Sequence, residues 1–237
     1  MEKMAKSLIV LDRPETLTGA VARSIGEAIV RGAFGPGQAL PEVPLSLQLG
    51  TSRGTVREAL RLLADEGLVE IIQRRGAFVA ALTTRKAREI FTLRAELEAF
   101  AVRLVFARGG YPEAALRTLE TTLGELGTAV EGGDVFEIAE LDMRFHDLLC
   151  RECDHRLLLD LLAGLRLQMR RFIVYTKLVD SDIEPESVTH RRLVAAVRAG
   201  DAERAAAEVR HHILMAGEYL LRKLAEATAQ PGWAVAS

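Results

Sequence analysis

The chain has 237 residues, 49% of them hydrophobic, with 31 Lys and Arg against 33 Asp and Glu for a net charge of −2. That length suits one large domain or two modest ones, and the apolar content supplies buried cores and excludes wholesale disorder. No apolar run approaches a membrane span, and Leu8-Ile9-Val10-Leu11, followed by Asp12, is too short for a signal-peptide core, so a cytoplasmic protein is expected. Bulk charge does not advertise a nucleic-acid binder: residues 1–82 hold ten Lys and Arg against nine Asp and Glu, and the remainder 21 against 24. Any contact with DNA must come from charges gathered on one face.

Residues 1–14 read as a frayed arm. A helix is expected from about Leu17 to Gly32, with Val21, Ile25, Ala28 and Ile29 as its buried stripe and Thr16 or Thr18 as its cap. Gly35-Pro36-Gly37 is a turn, and Pro44 opens a short helix to Leu49. In the next helix Ser52 can cap the start, and Thr55-x-x-Glu58 offers a competing cap. Val56, Ala59, Leu60 and Leu63 form its apolar stripe, while Arg53, Arg57 and Arg61 recur every fourth residue on another face. Gly67 stops the helix. Val69, Ile71 and Ile72 read as a strand, Ala77, Phe78 and Val79 as its partner, and Gln73-Arg74-Arg75-Gly76 as the turn between them. A helix with cations on its free face suits a major groove, and a basic hairpin tip can reach backbone or minor groove.

From Thr84 onward no strand is expected. Helices are read over Phe91 and Leu93 to Phe106, Pro112 to about Val130, Val135 to about Cys150, Arg156 to about Leu178, Ser187 to Ala199, and from the cap Asp201 to about Ala227. Val179 to Glu186 reads as an acidic loop, and residues from about 230 as a disordered tail. Short connections make six such helices an antiparallel bundle. Cys150 and Cys153 are a lone C-x-x-C without the second pair a zinc ribbon needs, so they read as reduced packing thiols.

Four polar residues point into this bundle. Asp142 and His146, at i and i+4, flank the stripe Ile138, Leu141, Phe145 and Leu149. His190 precedes Leu193, Val194 and Val197 at helical spacing. In the last helix Val209, Ile213, Ala216 and Leu220 mark the buried face, which takes His212 inward and turns His211 about 100° away. Each residue taken singly reads as a hydrogen-bonded core histidine or a local ion pair, and only the four together bring a metal-site reading level with that one. One carboxylate and three imidazoles converging from three helices also make a transition-metal site.

The run Pro36-Gly37-x-x-Leu40-x-Glu42, with Leu45, Gly50, Ser52-Arg53, Val56-Arg57-Glu58-Ala59-Leu60, Leu63, Glu66-Gly67-Leu68-Val69 and Arg75-Gly76-Ala77-Phe78-Val79, resembles the winged-helix domain of GntR-family bacterial transcription regulators. The chain departs from the usual pattern at Val43, Pro44, Ser46 and Gly54-Thr55. The expected DNA contacts are Ser52, Arg53, Thr55 and Arg57 on the helix and Arg75 and Gly76 at the wing tip. Residues 84–228 resemble the helical FCD domain of the FadR-type branch. Its spaced ligands are met by Asp142, His146, His190 before Gly200-Asp201, and His212, which in many members bind zinc, nickel or another divalent ion. A carboxylate effector then occupies the open positions. Leu93-Arg94-x-x-x-Glu98 resembles that domain's first-helix motif; Arg94 suits bidentate carboxylate recognition or, alternatively, an ion pair with Glu98. His155 stands where an asparagine of the effector pocket is usual.

The expected architecture is mainly α: a winged helix-turn-helix over 1–82 and an antiparallel helical effector-binding and dimerisation domain over 83–237. The expected function is a homodimeric, ligand-responsive regulator, more often a repressor in this family, on a near-palindromic operator. A metal-dependent hydrolase using the Asp/His cluster is the alternative.

Overall fold

The computed structural model of the protein describes residues 16–179 and 186–229. The expected arm, most of the acidic loop and the tail lie outside the described residues.

Helix α1 (Leu17–Val30) starts where Thr16 accepts a hydrogen bond from the Gly19 amide. Helix α2 (Glu42–Gln48) begins two residues before Pro44, the expected opening. Proline fits there because amides of a first helical turn have no intrahelical partner to lose. Helix α3 (Arg53–Asp65) takes Ser52 as its cap, with the Thr55 amide donating to the Ser52 hydroxyl at 3.1 Å, so the competing Thr55 signal does not set the start. The helix ends at Gly67, whose φ of +72° is left-handed, and the Leu68 amide reaches back to the Leu63 carbonyl at 2.9 Å.

Strands β1 (Val69–Ile72) and β2 (Gly76–Val79) pair antiparallel, Val69 opposite Val79 and Ile72 opposite Gly76. Arg74 in the three-residue loop between them takes the left-handed conformation, φ 65°. The segment after Gly37, read only as following a turn, adds itself to the free edge of β2. The Gly37 amide donates to the Val79 carbonyl, the Val79 amide to the Gln38 carbonyl, and the Leu40 amide to the Ala77 carbonyl, all at 2.8–2.9 Å. No periodicity marks so short an edge; it forms because β2 would otherwise leave these groups unpaired.

The bundle comprises α4 (Thr84–Ala107), α5 (Glu113–Gly132), α6 (Val135–Arg151), α7 (Arg156–Val179), α8 (Glu186–Arg198) and α9 (Ala202–Ala229). Thr83, Asp134 and Asp201 cap α4, α6 and α9. Helix α4 lies along α9, and α5 packs on α6 and α8. The core holds Leu119, Met143, Phe145, Leu149, Phe172 and Leu193. On α9 the buried face departs from expectation at one place: Ala216 is exposed and Gly217 is buried. A Cβ on Gly217 would come within 2.7 Å of Phe91, so glycine is what lets α4 and α9 approach.

The winged helix is docked on the bundle through α7. Val21, Ile25, Leu63 and Leu68 share one apolar cluster with Ala139 of α6 and Val174 of α7. Arg171 donates to the Ala80 carbonyl at 2.7 Å, and Arg170 pairs with Glu27 of α1 and with Glu140 of α6. Gln168 lies where a Cβ on Gly67 would stand, 2.6 Å from its side-chain nitrogen. Gly67 therefore both terminates α3 and admits α7.

Candidate functional sites: a DNA-reading face and a buried histidine cluster

The first site is the exposed face of α3 with the wing beside it. Arg53 is the first residue of the helix, exposed, and makes no ion pair among the described residues. Ser52 and Thr55 stand around it, their hydroxyls 2.9 Å apart. Arg57 is committed differently from expectation. Its Nε and Nη2 donate to the two carboxylate oxygens of Glu42 at 2.7 and 2.6 Å, tying α3 to α2. Those hydrogen bonds hold the Glu42 carboxyl below its usual range. Arg61 pairs with Glu58. At the wing tip Arg75 is exposed and its guanidinium lies over the Phe78 ring, 5.6 Å from the centroid; Gly76 is exposed with open space where a Cβ would project. The face thus offers a free arginine, a braced arginine and a cationic wing tip.

The second site lies inside the bundle. Asp142 and His146 project from α6, His190 from α8 and His212 from α9, and one ligand atom from each lies within 4.8 Å of all the others. His190 Nε2 is 3.2 Å and His146 Nε2 3.9 Å from Asp142 Oδ1. The rings of His146 and His212 are stacked, with centroids 5.3 Å apart, and His190 meets His212 edge-on at 4.5 Å. His211 is exposed, as the phase of the helix requires, and His212 keeps part of its surface exposed at the rim of the cluster. Burial pushes the His212 imidazole well below its ordinary pKa, and His190 and His146 beside it add to the effect.

Behind the cluster is a charged layer from α4. Arg94 and Glu98 are 3% and 2% exposed. Arg94 Nε donates to Glu98 Oε1 at 2.5 Å, and the other oxygen, Oε2, is 2.6 Å from His146 Nδ1. Arg94 Nη2 lies 4.0 Å from Asp142 Oδ2. Burial alone would raise the Glu98 carboxyl, but Arg94 and His146 outweigh it and bring its pKa down to about 2. Burial opposes ionisation of Asp142 too, yet His190, 3.2 Å away, and the neighbouring His146 and Arg94 hold it well below the usual carboxylate range.

Arg94 is therefore engaged by Glu98 through its Nε. Its Nη2 is buried without a hydrogen-bond partner among the described residues. His155 Nδ1 accepts from the Leu158 amide at the start of α7 and its ring packs on Phe100, so it caps that helix; it is not one of the four clustered residues.

Two observations fit a metal ion. Metal–nitrogen and metal–oxygen bonds of about 2.1 Å put ligand atoms roughly 3–4 Å apart, close to the spacing seen. In addition, His146 Nε2 is buried without a hydrogen-bond partner among the described residues, a state protein interiors seldom tolerate. One carboxylate with three imidazoles suits zinc or nickel better than calcium or magnesium, which prefer oxygen.

Residues 17–79 match the family of bacterial regulatory proteins, gntR family, and residues 89–214 match the FCD domain. The chain belongs to the GntR family. This GntR regulator is 32% identical over 221 residues to the uncharacterized HTH-type transcriptional regulator YdhC of Bacillus subtilis, covering 91% of this chain and 96% of that one. It is 32% identical over 200 residues to the HTH-type transcriptional repressor GlaR of Escherichia coli, covering 78% and 87%. Among solved structures it superposes on Escherichia coli McbR/YncC with a TM-score of 0.73 at 25% identity, covering 90% and 99%. A transcriptional regulator GntR from Rhodococcus sp. RHA1 has the same fold, TM-score 0.74, 24% identity, covering 86% and 97%. The protein is a DNA-binding transcriptional regulator and not an enzyme, which removes the hydrolase alternative.

Sequence reasoning found all four members of the cluster and the arginines of α3. It missed that Glu98 faces His146 and that Glu42 holds Arg57, pairs 48 and 15 residues apart. No local pattern signals either.

Proposed function

We propose that this regulator is a homodimeric repressor, acting in the cytoplasm on a near-palindromic operator, whose bundle holds a divalent transition metal and a small carboxylate effector. The observation that carries this reading is the four-ligand cluster with an unpartnered buried imidazole nitrogen at its centre. Asp142, His146, His190 and His212 would hold the ion, which when bound supplies a Lewis-acidic position for one carboxylate oxygen. Arg94 Nη2 would add a single hydrogen bond from the α4 side. The effector would enter past His212, the partly exposed member.

On the DNA side, Arg53 would read the major groove from the start of α3, with Ser52 and Thr55 beside it. Arg57, braced by Glu42, would offer its remaining donors to phosphate, and Arg75 at the wing tip would reach the backbone beyond Gly76. Repression is supported by the names of relatives such as GlaR and the Gluconate operon transcriptional repressor of Bacillus subtilis. Coupling would run through α7, which packs on the bundle core with one face and carries the winged helix on the other. An effector that favours one pose of α7 shifts operator affinity by its differential binding to the two poses.

The test is a wild-type metal analysis followed by thermal melting with a panel of small carboxylates, then operator binding with and without the stabilising acid. The expected result is about one divalent ion per chain, a raised melting temperature for at least one acid, and a change in operator affinity with that acid. A protein that takes up no divalent ion and responds to no acid would overturn the effector reading and leave the DNA-binding assignment standing.

A further inference from the structure

Glu98 is a buried carboxylate that is not itself one of the four clustered ligand residues. Among the described residues it is the carboxylate with an oxygen at hydrogen-bonding distance from His146 Nδ1, 2.6 Å. Its other oxygen accepts from Arg94 Nε at 2.5 Å, and both partners are buried. We propose that Glu98 is a positioning residue that fixes the tautomer of His146, so that its Nε2 lone pair faces the ligand cluster, and that Arg94, hydrogen-bonded to the other carboxylate oxygen, holds Glu98 in place. The inference rests on the metal reading for its consequence but not for its geometry.

A carboxylate has only acceptors, so the imidazole nitrogen facing it must carry the proton. Nδ1 then donates to Glu98, and the neutral ring is left with a bare Nε2. That nitrogen lies 3.9 Å from Asp142 Oδ1 and is buried without a hydrogen-bond partner among the described residues. With the opposite tautomer, Nδ1 and Glu98 Oε2 would set two lone pairs against each other at 2.6 Å. A hydrogen bond of this kind from outside the ligand set orients the ring and raises its basicity. Arg94 cannot exchange roles with His146, because a guanidinium has no acceptor. Its pairing with Oε1 therefore leaves Oε2 for the histidine.

The isosteric variant Glu98→Gln makes the idea sharp. A glutamine has one acceptor oxygen where two are in use. Arg94 can only donate, so the amide oxygen turns to Arg94 and the amide NH2 turns to His146. Nδ1 must then accept, the proton moves to Nε2, and the nitrogen facing the cluster becomes a donor.

Two measurements decide it. The first is nitrogen-15 NMR of the five imidazoles in the metal-free full-length protein, above the pH range where imidazole protonates. His146 is expected as the Nδ1–H tautomer in the wild type and as Nε2–H in Glu98→Gln. The second is zinc affinity by competition with a chelating dye, with circular dichroism as the control for folding. Glu98→Gln is expected to lose roughly 10- to 100-fold in affinity with an unchanged helical signal, the range typical of such outer partners. A wild-type His146 that carries its proton on Nε2 would overturn the proposal, as would wild-type zinc affinity in a folded Glu98→Gln. If the variant fails to fold, the wild-type tautomer alone decides. If the wild type binds no zinc, the metal reading falls, and the tautomer measurement still decides the role of Glu98.

Discussion

Two Arg–Glu pairs in this protein have nearly the same hydrogen-bond lengths and different consequences. Arg57 grips Glu42 through two bonds of 2.6–2.7 Å, with its side chain 50% exposed. Arg94 meets Glu98 at 2.5 Å, with 3% of its side chain exposed. Around the first pair water stands ready to replace either partner, so a DNA phosphate can take over Arg57 with little net loss. Around the second there is no replacement, and removing either partner leaves the other as an uncompensated buried charge. The geometry of a contact therefore does not tell what it does; its solvent does. The surface pair can be exchanged on binding, whereas the buried pair holds a site in one arrangement.

Arg94→Leu should give the largest effect. It leaves Glu98 and Asp142 buried with less compensation, and breaking a buried pair in this way costs about 3–5 kcal/mol of unfolding free energy. Urea unfolding of the metal-free protein measures it; a loss no greater than that of Arg57→Ala would erase the contrast between the two pairs.

Next comes the adjacent pair on α9. His212→Ala should abolish uptake of a divalent ion and the stabilisation by any active carboxylate, while His211→Ala, altering an exposed residue, should keep both. Metal content per chain reads the difference. Equal retention in both variants would remove α9 from the site.

On the DNA face, Arg53→Ala should weaken operator binding roughly ten- to a hundredfold, the usual scale for one base-reading arginine. Arg57→Ala should cost less and act more uniformly across sequences, with a shallower salt dependence, because Arg57 is expected on phosphate. Titrations at two salt concentrations test the division. An unchanged salt slope in Arg57→Ala would return that residue to structural bracing alone.

The smallest effect concerns pH. His212 is held below its ordinary pKa of 6.5, so as pH falls through about 6.5 the unfolded chain takes up a proton that the folded one refuses. The metal-free protein should therefore lose stability as pH falls below that point, and the lost increment should disappear in His212→Ala. The Arg57–Glu42 pair contributes no slope there, because Glu42 stays ionised with its pKa lowered from 4.5. Melting temperatures between pH 7.5 and about pH 5.5 bracket the ordinary imidazole range and check this. A flat profile in the wild type would mean that His212 is not desolvated in solution.

Much of this protein is written in its local pattern. The cap at Ser52, the stop at Gly67, the arginine stripe of α3, the i, i+4 spacing of Asp142 and His146 and the inward phase of His212 all follow from helix geometry, which fixes relations within a few residues whatever the rest of the chain does. The tertiary structure alone decided that Glu98 faces His146, that Glu42 claims Arg57, that Gly37 to Leu40 completes the wing, and that Gly217 and not Ala216 lies beneath Phe91. Those relations depend on where two elements cross and how closely they approach. A small rotation of α4 against α6 would send the Glu98 carboxylate elsewhere without altering any periodicity in the sequence. Helical phase selects which residues point inward, and packing selects which of them meet.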